Sequence, residues 1–243
     1  MAIHALTIDF WNTMVVARTN GRQRHQQRVD HLLGVAHASR PEITEETVRA
    51  AFREAIRRFD QAWRQQHCTP TTSELVHSIW DELGLTVEES RHHDIVHVFQ
   101  EGVLSEPPDF VEGLEEALHW AAGRYQLGII SDTMFSPGRV IRRLLDQRGL
   151  LRFFDALVFS DETGFAKPDV RAFEQAGQRF GTAPRDIAHI GDLRRTDVAG
   201  ARDAGLIPIL FTGVHEDTDP EPAPDAVLPG WHALPDLLKQ IDY

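Results

Sequence analysis

Apolar runs and helix-period segments alternate along most of the chain. Five apolar runs end in polar turns and predict strands at residues 5–9, 127–131, 156–160, 187–191 and 207–212. Segments of helical period lie between most of them, at residues 112–124, 137–149, 170–180 and 197–204. Such alternation is typical of a doubly wound parallel sheet. We therefore predict an α/β, Rossmann-like core, closed by a short strand near 225–228 and a helix near 234–241.

One long segment departs from this alternation. From about residue 21 to 103 the pattern is helical throughout, with candidate helices at 22–38, 44–66, 72–83 and 87–101 and capping signals at Thr44 and Thr72. Four helices of this length can form a small bundle. We predict an inserted all-helical cap at 19–105 that lies as a lid over the strand ends. The α/β core then comprises residues 1–18 and 106–243, rejoined through the proline-bearing hinge at 105–108.

Composition narrows the function classes. The chain has 243 residues, of which 42% are hydrophobic and 26% are charged, as in an ordinary globular protein. No run is long enough to span a membrane, and nothing at the N-terminus suggests secretion. The single cysteine, Cys68, excludes a disulfide framework and favours a cytoplasmic location.

The formal net charge of −12 argues against a general nucleic-acid binder, which needs a cationic face. It leaves a small phosphorylated metabolite open as substrate, because local groups set the field inside a pocket.

Chemically useful side chains recur where predicted strands end. Asp9, Ser131, Lys167, Asp192 and Asp197 all lie in such turns. Because ligands of doubly wound sheets bind at the carboxyl ends of the strands, we expect these groups to converge. A carboxylate can attack phosphorus, and further carboxylates can hold Mg²⁺. The set therefore predicts a phosphate-and-metal site.

Four motifs carry a family resemblance: D-F-W-N-T, S-D-T, A-K-P-D and G-D-L-R-R-T-D. Together with P-P-D-F-V-E-G-L and G-A-R-D-A-G, they make nearly the whole chain resemble the haloacid dehalogenase-like superfamily. Most members of that superfamily are Mg²⁺-dependent phosphatases, and the helical insertion resembles their cap.

The resemblance also implies roles for individual residues. Asp9 would be the nucleophile, and Lys167 would neutralise charge. Ser131, with Asp132 and Lys167, would bind phosphate. The metal would be held by Asp9, by the backbone carbonyl of Trp11, by Asp192, and by Asp197 directly or through water.

Trp11 departs from the family pattern. Phosphatases of the family usually carry a second aspartate there, in D-x-D-G-T, which protonates the leaving group and activates water. Such general acid–base help is typically worth roughly 10²–10⁴-fold. Tryptophan keeps the metal-binding carbonyl and lacks the carboxyl, and the amide of Asn12 does not titrate. We therefore expect metal binding with weak turnover.

Three functions follow from these motifs. The favoured one is a Mg²⁺-dependent phosphatase acting through an aspartyl-phosphate on Asp9. A dehalogenase-type carbon–halogen hydrolase is an alternative, because those members also lack the second aspartate. Asp192 and Asp132 speak against it, since dehalogenases usually replace both. A ligand-binding or interaction protein without turnover is the third hypothesis.

Two further groups of residues invite a functional interpretation. His93 and His97 have the helical i, i+4 spacing that can hold zinc, but a third ligand is not evident, so we expect a surface pair. Arg18 and Arg22 follow the first motif and either meet an anionic substrate or are exposed charges near the hinge.

Overall fold

The computed structural model describes residues 2–241. The chain forms two compact units. One comprises residues 2–17, 109–132 and 145–241, and the other comprises 18–108 and 133–144. Sequence analysis assigns 133–144 to the core, whereas the structure groups this segment with the helical unit. The reason is packing, because Phe135 joins the helical unit's apolar core and Arg139 pairs with Glu101 at 2.7 Å.

Within residues 2–241, eight strands lie in two sheets. In chain order they are β1 Ala5–Ile8, β2 Val15–Val16, β3 Asp109–Phe110, β4 Gln126–Ser131, β5 Ala156–Phe159, β6 Ile187–Gly191, β7 Ile207–Phe211 and β8 Ala226–Leu228. Six strands form a parallel sheet in the order β5-β4-β1-β6-β7-β8, which confirms the predicted fold class. The remaining two, β2 and β3, form a short antiparallel ribbon that the sequence pattern does not predict.

The register of the parallel sheet brings three strand ends together. In β1, Ile8 is paired with Ile129 of β4 on one side and with Ile190 of β6 on the other. The strand order diverges in both directions from β1, so this is the switch point at which doubly wound sheets bind ligands. The turns that follow β1, β4 and β6 therefore share one edge of the sheet.

Ten α-helices accompany the strands in the part of the chain that the structure describes. In chain order they are α1 Thr19–Ser39, α2 Glu45–Gln66, α3 Thr72–Leu83, α4 Glu89–Ser105, α5 Leu114–Ala122, α6 Gly138–Gln147, α7 Ser160–Thr163, α8 Val170–Phe180, α9 Ala199–Asp203 and α10 Leu234–Ile241. In the α/β unit, α8 buries Phe173 and Phe180 in an apolar cluster with Ile130 of β4 and Ile187 of β6. This packing anchors the helix on the sheet.

The helical unit has an aromatic core. Phe52 of α2 is fully buried, and its ring centroid lies 5.3 Å from that of Phe99 and 5.6 Å from that of Phe135. The ring of His25 stacks on Phe52 at 4.9 Å. Apolar burial of this size supplies most of the stability of a small bundle.

Helix starts in this unit follow capping rules. The Thr44 hydroxyl accepts a hydrogen bond from the backbone N–H of Thr47, as the sequence predicts. The cap of α3 is Thr71 rather than Thr72, because Thr71 and Glu74 form a reciprocal capping box. Thr72 is instead buried, with its hydroxyl near the Phe135 carbonyl.

The connection after β6 differs from the predicted single helix at 197–204. A π-helical turn, Arg194–Val198, precedes the short α9. The wider turn buries Asp197 directly against the end of β6, where a Cβ atom at Gly191 would lie 2.3 Å from the Asp197 Cγ. Only glycine leaves room for this approach.

We expect Phe52→Ala to lower the free energy of unfolding of the helical unit by about 3–5 kcal/mol, because it leaves a cavity among three aromatic rings. Urea denaturation followed by circular dichroism measures the effect. Phe59, which is only partly buried, provides the comparison as Phe59→Ala. Equal losses in the two variants would contradict the packing described here.

We expect Gly191→Ala to cost about 1–3 kcal/mol of stability, because the added methyl group overlaps the Asp197 carboxyl. Gly123→Ala is the matched control, since a Cβ there has no heavy atom within 4 Å. Thermal unfolding of both variants tests the expectation. A Gly191→Ala protein as stable as Gly123→Ala would show that the turn yields without cost.

Candidate active site

A buried cluster of charged side chains lies at the carboxyl edge of the parallel sheet. Asp9 follows β1, Asp192 follows β6, Asp197 lies in the π-helical turn, and Lys167 precedes α8. Each of the four is at most 5% exposed. Ser131, the last residue of β4, is likewise buried at the same edge. The register of the strands thus gathers the predicted residues into one region.

Lys167 joins two of the carboxylates. Its Nζ lies 2.5 Å from Asp9 Oδ1 and 2.6 Å from Asp197 Oδ1. Its backbone N–H donates to Asp132 Oδ1 at 2.9 Å. Sequence analysis groups Asp132 with the phosphate-binding residues, whereas here its carboxylate holds the backbone of Lys167. The ammonium group is thereby fixed beside Asp9.

Both carboxylate oxygens of Asp197 accept hydrogen bonds from groups of the protein. Its Oδ1 accepts hydrogen bonds from Lys167 and from His189 Nε2 at 3.0 Å. Its Oδ2 lies 3.1 Å from the donating backbone N of Leu193 and 3.0 Å from Thr196 Oγ1. A carboxylate has about four lone-pair sites, a number that these contacts match. The contacts indicate that Asp197 positions Lys167, and its part in holding a metal, directly or through water, stays a prediction.

His189 is a site residue that sequence analysis misses. It lies in β6, 1% exposed, with Nδ1 2.9 Å from Thr7 Oγ1 of β1. Burial lowers the pKa of His189, so the ring is neutral. It then donates from Nε2 to Asp197 and accepts from the Thr7 hydroxyl at Nδ1. A histidine in the apolar strand I-A-H-I-G is the signal that could have revealed this role.

Negative charge exceeds positive charge in this cluster. Burial raises the pKa of Asp9 to about 7, although Lys167 opposes the shift. Burial and the neighbouring charge of Asp9 raise the pKa of Asp192 to about 8. Desolvation works against the charge of Lys167, but Asp197 and Asp9 outweigh it and raise its pKa. Lys167 and His189 keep the pKa of Asp197 below its usual range despite burial.

Asp192 also carries a polar atom that the protein leaves without a hydrogen bond. Its Oδ2 is buried and accepts none from the described residues. An unpaired buried carboxylate oxygen is costly unless a cation lies nearby. The position of Asp192 is therefore more typical of a metal ligand than of a residue with a purely structural role.

The turn after Asp9 is held by a hydrogen bond from Trp231, and Trp11 within it is partly exposed. Trp231, fully buried, donates from Nε1 to the Thr13 carbonyl at 2.9 Å. Asn12 has a φ of 57°, a left-handed conformation that asparagine tolerates. The Trp11 ring lies edge-on to Phe10, with 5.1 Å between centroids. No carboxyl side chain occupies position 11, so the chemistry there differs from D-x-D-G-T.

The remaining candidates lie in the helical unit. His93 is exposed, and its Nε2 lies 4.0 Å from Glu89 Oε1. Arg18 and Arg22 are exposed as well. Across residues 2–241, no three His, Cys, Asp or Glu side chains converge in a metal-binding group. No helix in the same range is long and apolar enough to cross a membrane.

Comparison with known proteins identifies relatives among phosphatases. The chain is 40% identical over 88 residues to a glyceraldehyde 3-phosphate phosphatase of Methanothermobacter thermautotrophicus, covering 35% of this chain and 37% of that protein. It is 32% identical over 127 residues to the pyrimidine 5'-nucleotidase YjjG of Escherichia coli, covering 52% and 55%. The matches thus span about a third to just over half the length of these two curated relatives.

A solved structure and a family model extend the likeness over the chain. The 2-haloacid dehalogenase of Pseudomonas syringae superimposes with a TM-score of 0.72 at 21% identity, covering 98% of this chain and 99% of that one. At this identity the likeness concerns the fold alone. The model of haloacid dehalogenase-like hydrolases matches residues 3–205. With the buried Asp9–Lys167 pair at the sheet edge, this match shows that the chain belongs to the haloacid dehalogenase-like hydrolases.

Proposed function

We propose that this protein is a Mg²⁺-dependent phosphatase of a small phosphorylated metabolite, acting in the cytoplasm. The observation that carries the proposal is the Asp9–Lys167 contact of 2.5 Å inside a buried carboxylate cluster. The names of the two relatives, a glyceraldehyde 3-phosphate phosphatase and a pyrimidine 5'-nucleotidase, support phosphate esters as substrates. In this proposal the helical unit is the cap.

Asp9 would act as the nucleophile. Its Oδ1 accepts the hydrogen bond from Lys167, so Oδ2 is the atom available for attack. A bond forms between Oδ2 and phosphorus while the bond from phosphorus to the leaving oxygen breaks. Water then attacks phosphorus and releases Asp9 and inorganic phosphate. The Lys167 ammonium stabilises charge on the phosphoryl oxygens, and the Ser131 hydroxyl would donate to one of them.

The residues present fit a divalent cation. Asp9 and Asp192 are buried carboxylates, and Asp192 Oδ2 accepts no hydrogen bond from the described residues. Asp9, Asp192 and the backbone carbonyl of Trp11 would hold the ion. Mg²⁺ usually takes one or two carboxylates and keeps several waters, so this oxygen set suits it. When bound, it supplies positive charge that neutralises the phosphoryl group.

Trp11 restricts the substrates in this proposal. Without a carboxyl at position 11, the leaving oxygen departs without a proton from that residue. Phosphates with good leaving groups, such as acyl or aryl phosphates, are therefore favoured. The later attack of water is slow for the same reason, because its usual base is missing.

The carbon–halogen hydrolase is the second candidate, favoured by Trp11 alone. The Oδ2 atom of Asp192, which accepts no hydrogen bond from the described residues, argues against it. In a reaction without a metal, that buried oxygen would have no cation to bind. An interaction protein without turnover shares the same site. These alternatives make different predictions for hydrolysis.

The test is hydrolysis of p-nitrophenyl phosphate with and without Mg²⁺. We expect slow wild-type turnover that requires Mg²⁺ and falls to background in Asp9→Asn, because the nucleophile is lost. Trp11→Asp is expected to raise the rate by about 10²–10⁴-fold, the usual worth of a general acid–base group. The control for Asp9→Asn is Asp203→Asn, at an exposed position of α9.

Each alternative has its own outcome in this assay. An Asp9→Asn protein as active as wild type would overturn the nucleophile assignment. A silent wild type with an active Trp11→Asp variant would show a phosphate site that lacks only its proton donor. The wild type would then be assayed with a 2-haloacid, where halide release would establish the carbon–halogen hydrolase. Silence of all variants towards both substrates would favour the interaction protein.

A further inference from the structure

The loop that follows β7 brings a histidine to the buried edge of the site. His215 Nε2 lies 3.6 Å from Asp192 Oδ2, the oxygen that accepts no hydrogen bond from the described residues. The His215 side chain is 39% exposed and the Asp192 side chain 5% exposed. The imidazole thus stands between solvent and an unsatisfied carboxylate oxygen.

The position of this loop is set by residues next to Asp192. The backbone N–H of Arg194 donates to Asp217 Oδ2 at 2.6 Å, and the Arg194 guanidinium donates to the Pro222 carbonyl at 3.2 Å. Further along, Arg202 of α9 pairs with Asp225 at 2.8 Å. Because Arg194 is two residues from Asp192, the contact to Asp217 ties the loop to the same turn. His215 is therefore held near Asp192 and is not at the tip of a free loop.

The separation suits a shared cation better than a direct contact. A distance of 3.6 Å is longer than a hydrogen bond. Two ligands that each lie about 2.1 Å from one ion are separated by about 3.0 Å at the octahedral angle and by about 3.4 Å at the tetrahedral angle, so a shift of a few tenths of an ångström would bring both atoms onto one ion. An imidazole and a carboxylate are both common metal ligands, and the carboxylate here has an oxygen to spare.

We propose that His215 ligates the same divalent cation as Asp192. The proposal rests on the proposed metal-dependent function, because it adds a nitrogen ligand to an otherwise all-oxygen site. Nitrogen ligands favour transition metals, whereas Mg²⁺ strongly prefers oxygen. His215 would therefore shift the site away from strict Mg²⁺ preference and towards Mn²⁺ and the later divalent metals.

The experiment uses Mn²⁺ alone as the probe. The metal-stripped full chain is loaded with Mn²⁺, and electron spin-echo modulation is recorded for wild type and for His215→Ala. Wild type is expected to show nitrogen hyperfine coupling, which reports a nitrogen ligand bound to the ion. His215→Ala is expected to lose the coupling, and His4→Ala is expected to keep it. His4 is an exposed histidine of the same unit, at the opposite end of β1 from Asp9.

Calorimetric titration adds a second readout without any turnover. We expect His215→Ala to bind Mn²⁺ about tenfold more weakly than wild type, while Mg²⁺ affinity changes by less than about twofold. Asp192→Asn is expected to weaken both metals. The ratio of the Mn²⁺ and Mg²⁺ dissociation constants, compared between wild type and His215→Ala, therefore measures the contribution of the His215 nitrogen to metal binding.

The possible failures are distinguishable. Mn²⁺ bound in an Asp192-dependent way but without nitrogen coupling would overturn the role of His215 and leave the metal-dependent phosphatase intact. Nitrogen coupling that persists in His215→Ala would also overturn it. If wild type bound neither Mg²⁺ nor Mn²⁺, the proposed function would fail together with this inference.

Discussion

The arrangement of the site depends on one ammonium group held between two buried carboxylates. Lys167 Nζ contacts Asp9 and Asp197 at 2.5 and 2.6 Å, and all three side chains are almost completely removed from water. A buried lysine without partners would lose its proton, and an unpaired buried carboxylate would gain one. The two carboxylates keep Lys167 protonated, and its ammonium group favours the charged form of both, although burial still raises the pKa of Asp9 to about 7. The proposed nucleophile, Asp9, and Lys167 therefore form one electrostatic unit.

Much of the surrounding structure keeps that unit in position. The π-helical turn and the lack of a side chain at Gly191 let Asp197 approach the end of β6. His189 and Thr7 then extend the hydrogen bonds from Asp197 across two neighbouring strands. The pairing of β1 with β6 is thus coupled to the orientation of Lys167. Burying so many polar groups is costly unless each one is satisfied, and Asp192 Oδ2 is a buried carboxylate oxygen that accepts no hydrogen bond from the described residues.

The sequence predicts the sheet and the gathering of the motifs because both follow from local pattern. An apolar run that ends in Asp9 or Ser131 predicts a strand and its end from consecutive residues alone, without knowledge of the strands that pair with it. The hydrogen-bond partners of each charged side chain cannot be predicted in this way. That Asp132 holds the backbone of Lys167, and that Asp197 is occupied by four donors, depends on contacts between residues far apart in the chain. The role of His189 is not predicted from the sequence, because a single polar residue within a strand belongs to no recognisable motif.

The ribbon of β2 and β3 has a consequence for how this chain could vary. The two strands pair directly where the chain leaves the α/β unit at Val16 and returns at Asp109, so the ends of the intervening segment are pinned side by side. The entropy of closing a loop grows only slowly with its length, so the insert can lengthen or shorten at little cost to the sheet. Exchange of the whole insert is more demanding. Phe135 and Arg139 belong to the insert's packing although they follow β4 in sequence, so a grafted module has to bring its own version of residues 133–144.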